Sequence, residues 1–205
     1  MERKVIKSVK NAKLYSDGTI MISNCRVSYP HLDKKWAKNP AKDTPAYSAV
    51  GILPTDTHQE AIDLCLEHAQ TILDENNKGK PIADDKLFVR DGAPTKKPEY
   101  KGAWTVNARE PDNRPVVLHP DKTEMEIEDI KPTIKPGHRI DLLIDPWWQD
   151  NEHGKRVNAS LRAVRYRRED EEIGESGLDK DEAISSFDDD DEGGFGDDDE
   201  ENGGL

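Results

Sequence analysis

HRIDLLIDPWWQDNEHGKRVNASLRAVRYRR, residues 138–168, decides the fold. Ile140, Leu142 and Ile144 alternate with other residues in its first part, and Val157, Ala159, Leu161 and Ala163 do so in its second. A period of two places one face of an extended chain against a core. The stretch between them, Asp145 to Arg156, makes the tip of a long hairpin. The opposite face of the later strand reads Asn158, Ser160, Arg162, Val164, Tyr166 and Arg168, a polar, basic and aromatic row. Trp147 and Trp148 stand side by side. Neighbours in a strand face opposite ways, so at least one of them is exposed or at an edge. A pair that caps a barrel or forms a dimer contact is the alternative, and a homodimer stays open.

Working outward, shorter strands of the same kind recur. Ile20–Tyr29 changes phase between Ile22 and Cys25, which predicts a bulge near Ser23-Asn24. Pro30 is expected to end that strand. Residues 31–45 then read as a long basic loop, and Tyr47–Leu53 as a second strand. Lys86–Arg90, Ala103–Arg109 and Pro115–His119 are further strands. The one helix runs from Thr57 to about Asn77. Thr57 and Glu60 match a capping box, and Ile62, Cys65, Leu66, Ala69, Ile72 and Leu73 form one apolar stripe. Residues 1–14 are a basic arm. Several short strands with one amphipathic helix predict a mainly β protein, a closed or nearly closed barrel plugged by the helix.

Charge divides the chain. Residues 1–168 hold 29 of the 30 Lys+Arg and 25 of the 43 Asp+Glu, a net +4. Residues 169–205 hold one lysine and 18 acids, a net −17. That segment has too few apolar side chains to offset the entropy of folding and reads as a disordered acidic tail. A mildly basic body joined to a polyanion points to a nucleic-acid partner or to a mimic of one. Cys25 and Cys65 are expected as buried reduced thiols, and no run of residues is long and apolar enough to cross a membrane. The six histidines show no metal-ligand spacing. Glu124, Glu126, Glu128 and Asp129 with Asp112 and Asp121 read as a solvated acidic connection rather than a two-metal nuclease centre. No cofactor, metal or catalysis is expected.

Four places carry aromatic and basic residues together. Trp36 lies among Lys34, Lys35, Lys38 and Lys42, where a base could stack on the indole and phosphates could meet the amines. Trp147 and Trp148 precede Lys155 and Arg156. The row of the last strand holds Arg162 and Tyr166, and Arg26 is a comparable cation on the first. Tyr100 and Lys101 stand just before a strand in which Trp104 reads as core. A solvated outer face or a tryptophan folded over the barrel mouth accounts for the same patterns.

The pieces Cys25-Arg26-Val27-Ser28-Tyr29-Pro30, Tyr47-Ser48-Ala49, Asp91-Gly92, Lys97 to Ala108, Pro115-Val116-Val117, Lys135 to Arg139 and Val157 to Leu161 come in an order that resembles a tailed-bacteriophage single-stranded-DNA-binding protein family. The likeness spans about residues 14–168. It implies an OB-fold, a Greek-key barrel, over residues 1–168, and binding of single-stranded DNA without sequence preference. Trp36, Trp147, Trp148 and Tyr166 would stack bases, with Tyr100 beside them. Arg26, Lys34, Lys35, Lys38, Lys101, Lys155, Arg156 and Arg162 would meet phosphates. Duplex DNA would bind more weakly. The acidic tail of 169–205 resembles those of replication single-strand binders, and Phe187, Phe195 and Leu205 are its candidate contacts with replication or recombination proteins. The expected setting is the cytoplasm of an infected bacterium. The rival readings are a DNA mimic acting through the tail on a host DNA-binding protein and, behind it, a metal-dependent nuclease or resolvase.

Overall fold

The computed structural model describes residues 3–173. Two strands, β3 (Ile20–Trp36) and β4 (Ala46–Pro54), pair antiparallel. On the far side of β4 lies β6 (Ala103–Glu110), and on the far side of β3 lies β8 (Arg139–Asn151). The long hairpin of β8 with β9 (Gly154–Arg168) completes five antiparallel strands, and β9 approaches β6 to close the barrel. β5 (Val89–Asp91) borders β6, and β7 (Val116–Leu118) runs parallel to β9. This is the expected β-barrel with an OB-type strand order.

The barrel interior is apolar because the alternation of each strand points there. Ile20, Ile22, Val27, Ile140, Leu142, Ile144 and Leu161 are fully buried. Gly51 on β4 leaves room that a side chain would take, since a methyl there would lie 2.7 Å from Leu142 Cδ1 and 3.2 Å from Cys25 Sγ. The phase change at Ser23-Asn24 is a bulge, as the sequence predicts. Asn24 has φ 58°, and its N–H donates to Asp141 Oδ1 at 2.9 Å. Asp141 is buried and also holds Arg165 and Arg167, so its charge is paired rather than stranded.

The helix α1 (Thr55–Asn77) packs its stripe onto one side of the barrel. It begins earlier than the sequence suggests, because Pro54 serves as N-cap and no side chain caps it. Thr57 Oγ1 instead faces Pro54 O at 3.4 Å, and Glu60 accepts from the backbone N–H of Lys10 at 3.2 Å. Lys78 and Gly79 close the helix in left-handed conformation, with Gly79 N–H on Leu73 O. A second helix, α2 (Ile127–Thr133), lies where an acidic connection was expected, and it buries Ile130.

Two expectations need correction. The basic arm is a hairpin, β1 (Val5–Val9) with β2 (Ala12–Tyr15), and β2 pairs with β3. Val9 and Leu14 pack on the core, which is why this segment joins the sheet. Pro30 does not end its strand either. It falls within a shift of register between Ser28 and His31, where no ladder bond is demanded of it. β3 then continues through the buried Leu32 to Trp36, so only residues 37–45 remain as a loop. The described residues continue past the expected boundary at 168 to Ile173. Residues 174–205 of the tail expected to be disordered, with Phe187, Phe195 and Leu205, lie outside the described residues.

Candidate nucleic-acid interface

The outer face of β3, β4 and β6 carries a shallow groove of about 350 Å³. Outward positions of β4 and β6 supply its floor, Ser48, Val50 and Asn107, because Ala49, Val106 and Ala108 turn inward. The extended β3 supplies one wall with Tyr29, His31 and Trp36. Lys38, Arg90 and Arg109 add positive charge. Burial lowers the pKa of Arg90, and so does the nearby cation Arg156, so like charges gather where the groove meets β9.

Trp36 is 47% exposed and stacks face to face on His31, with centroids 4.7 Å apart and planes within 8°. One indole face is thus backed, and the ring still has exposed surface. Burial holds the His31 pKa below its ordinary value, and its Nε2 has no hydrogen-bond partner. Tyr29 is equally exposed and adopts φ 49°, rare for a bulky residue and a common mark of a functional site. Lys97 reaches over it, bonding its hydroxyl and lying 4.3 Å from the ring centre. Lys35 and Arg114 flank Tyr47 at 5.8 and 5.7 Å.

The sequence candidates divide around this groove. Trp36 and Lys38 line it, and Lys34 and Lys35 are exposed on the same arm of β3. Arg156 lies near Arg90. Trp147 is 44% exposed on β8 beside Asn158 of β9, while Trp148 packs against the core and has Lys155 at 5.9 Å. The pair therefore splits as the strand geometry requires. Lys101 is exposed.

Four candidates are less free than the sequence suggests. Tyr100 is 5% exposed and packs against Ile52 and Ala103, with its hydroxyl donating to Ser28 Oγ at 3.2 Å. No ring face is left for a base. Arg162 is paired with Asp145 at 2.5 Å and Glu110 at 3.4 Å. Tyr166 is half-buried against the core, because a register shift at Leu143/Ile144 turns Val164 inward and breaks the polar row. Arg26 is held by the carbonyls of Gly137 and Glu171.

Tyr29, His31, Arg90, Asn107 and Arg109 were missed. Asn107 and Arg109 alternate with the buried Val106 and Ala108, so their outward direction is readable from the period of two. Nothing local marks Tyr29 or His31, since their place depends on β3 continuing past Pro30. The carboxylates weighed for a nuclease centre do not converge. Among the described residues no three His, Cys, Asp or Glu side chains are placed to hold a metal ion.

No curated protein sequence matches the chain. Among solved structures, it is similar to the single-stranded DNA-binding protein from bacteriophage Enc34 in complex with ssDNA, at 36% identity and TM-score 0.78 over 84% of this chain and 99% of that one. A further structure of the single-stranded DNA-binding protein from bacteriophage Enc34 aligns at 35% identity and TM-score 0.77, over 90% of this chain and 99% of that one. The gp2.5 single-stranded DNA-binding protein of bacteriophage T7 shares the fold at 13% identity and TM-score 0.52, over 78% of this chain and 97% of that one. A family profile described as Enterobacter phage Enc34, ssDNA-binding protein, matches residues 18–196. With the fold and more than a third of the aligned residues held in common, and the family profile matching most of its length, the chain belongs to the Enc34 phage ssDNA-binding protein family.

Proposed function

We propose that this protein binds single-stranded DNA in the groove on β3, β4 and β6, without sequence preference and without catalysis. The observation that carries the reading is the pairing of two exposed aromatic rings, Tyr29 and Trp36, with Arg90, Arg109 and Lys38 in one concave strip. Every base has a π-face, so stacking tolerates any sequence, while the cations meet the phosphates. The outer face of these strands is where OB-folds bind oligonucleotides. Trp147, Lys155 and Arg156 extend the surface onto the β8–β9 hairpin.

The role would be protection of single strands during phage DNA replication or recombination, in the cytoplasm of the infected bacterium. The acidic tail would modulate DNA binding and contact replication or recombination proteins through Phe187, Phe195 and Leu205. Titration of the full chain with poly(dT) and with duplex DNA, followed by tryptophan fluorescence, tests the core of this reading. Single strands should quench Trp36 and bind more tightly than duplex. Equal affinity for both, with no quenching, would remove it.

A further inference from the structure

Three strands of the barrel set arginines abreast. Arg26 of β3 is the register partner of Arg139 on β8, and Arg139 is the partner of Arg168 on β9. Like charges directly opposite each other in a sheet destabilise it. Such a row needs an anion.

The chain supplies one from its own end. Asp170 Oδ2 accepts from Arg139 Nε at 2.5 Å, Glu171 O from Arg26 Nη2 at 2.5 Å, and Glu172 Oε1 from Lys135 Nζ at 2.8 Å. The Ile173 N–H donates to Pro136 O at 2.9 Å. Four consecutive residues thus lie along the cations, each placing an acceptor or donor on the barrel. The spot lies on the same face of the sheet as the groove, linked to it by register. Arg26 pairs with Ile52 on β4, Ile52 with Thr105 on β6, and Thr105 with Arg90 on β5, which lines the groove. Ile173 and Val50 of the groove floor both pack on the Ile52–Tyr100–Ala103 cluster. Gly137 permits this approach. It has φ 100°, and a side chain there would run into the backbone of Glu171 and Glu172.

We infer that Arg26, Lys135, Arg139 and Arg168 form a second phosphodiester-binding site, on the same face of the sheet as the groove, which residues 170–173 occupy in the manner of a bound strand. The inference rests on the groove reading. A strand leaving the groove past Val50 would pass over the Ile52–Tyr100 cluster and reach the arginine row once Asp170–Ile173 lift away. The acceptors on Arg139, Arg26 and Lys135 then pass from the chain's own oxygens to those of phosphates. Short oligonucleotides fill the groove alone, and longer ones displace the segment.

The test uses the full chain and a ladder of dT oligonucleotides from 6 to about 30 nucleotides, at several salt concentrations, with thermal melting as a check on folding. In an Asp170→Asn/Glu172→Gln variant the segment loses two of its three negative charges, so long oligonucleotides should bind about fivefold more tightly at low salt while dT6 is unchanged. A Lys135→Gln/Arg168→Gln variant, which spares the two arginines bonded to the barrel, should lose affinity for long oligonucleotides only. Its salt slope should flatten by about 0.7 for each phosphate that is no longer neutralised. If both folded variants bind every length as the unaltered protein does, the second site is overturned and the groove stands. If dT6 and the longer strands all fail to bind any of the proteins, the groove reading falls and takes the inference with it.

Discussion

At the scale of single residues, affinity should concentrate on Trp36. Its indole is backed by His31, so the ring is already oriented and little freedom is given up when a base stacks on it. Trp36→Ala should weaken single-strand binding by about 1–3 kcal/mol in a fluorescence or anisotropy titration. His31→Ala should lose part of that, and His31→Phe should restore it, because the backing needs a flat ring rather than a charge. A His31→Ala variant that binds normally would show that Trp36 needs no support. That Trp36 is exposed was legible because an indole amid lysines is poorly explained by a core. The burial of Tyr100 and the pairing of Arg162 were not legible, for a different reason. Their partners, Ser28 and Ile52 for one, Asp145 and Glu110 for the other, come from distant parts of the chain, and only the folded register brings them together.

At the scale of elements, the barrel tolerates its tight curvature through positions such as Gly51. Its backbone is not in the left-handed region, so the constraint is space. Gly51→Ala would push a methyl against Leu142 and Cys25 in a core already filled. The expected cost is about 1–3 kcal/mol of stability, read as a lowered Tm with single-strand binding retained at low temperature. An unchanged Tm would mean that β4 can shift away from β8. Most elements were legible, since the period of two in β8 and β9 and the apolar stripe of α1 are local patterns. The β1–β2 hairpin and the second half of β3 were not. Basic residues mask the apolar alternation of Val9, Ala12 and Leu14, and Pro30 is a stop signal only where its missing N–H would have been needed.

At the scale of the whole molecule, charge is the organising quantity. Residues 1–173 hold 29 basic and 29 acidic side chains, so the entire net −13 lies in residues 174–205. Attraction to DNA must therefore arise from the local strip rather than from the body as a whole. Binding should weaken as salt rises, with a slope of log K on log salt near −0.7 for each phosphate neutralised. A protein ending at Ile173 should bind single strands more tightly than the full chain at low salt. The gain should be proportionally larger for duplex DNA, which offers no bases to stack, and should shrink as salt rises. Equal affinities for both proteins on both ligands at low salt would leave the tail without a part in DNA binding.

The central pairing of the barrel also sets a timetable. Cys25 on β3 meets Ile140 on β8 across 115 positions of sequence. A ribosome adding about 5–20 residues per second needs roughly 6–23 s to travel that far. Once β4 and α1 have emerged, and for the rest of that interval, β3 has its partner β4 but not β8, and the apolar side of α1 has only half a barrel to cover. The newborn chain thus passes through a sticky half-built state whose length is fixed by translation. The last hairpin to emerge, β8 with β9, is the piece that ends it.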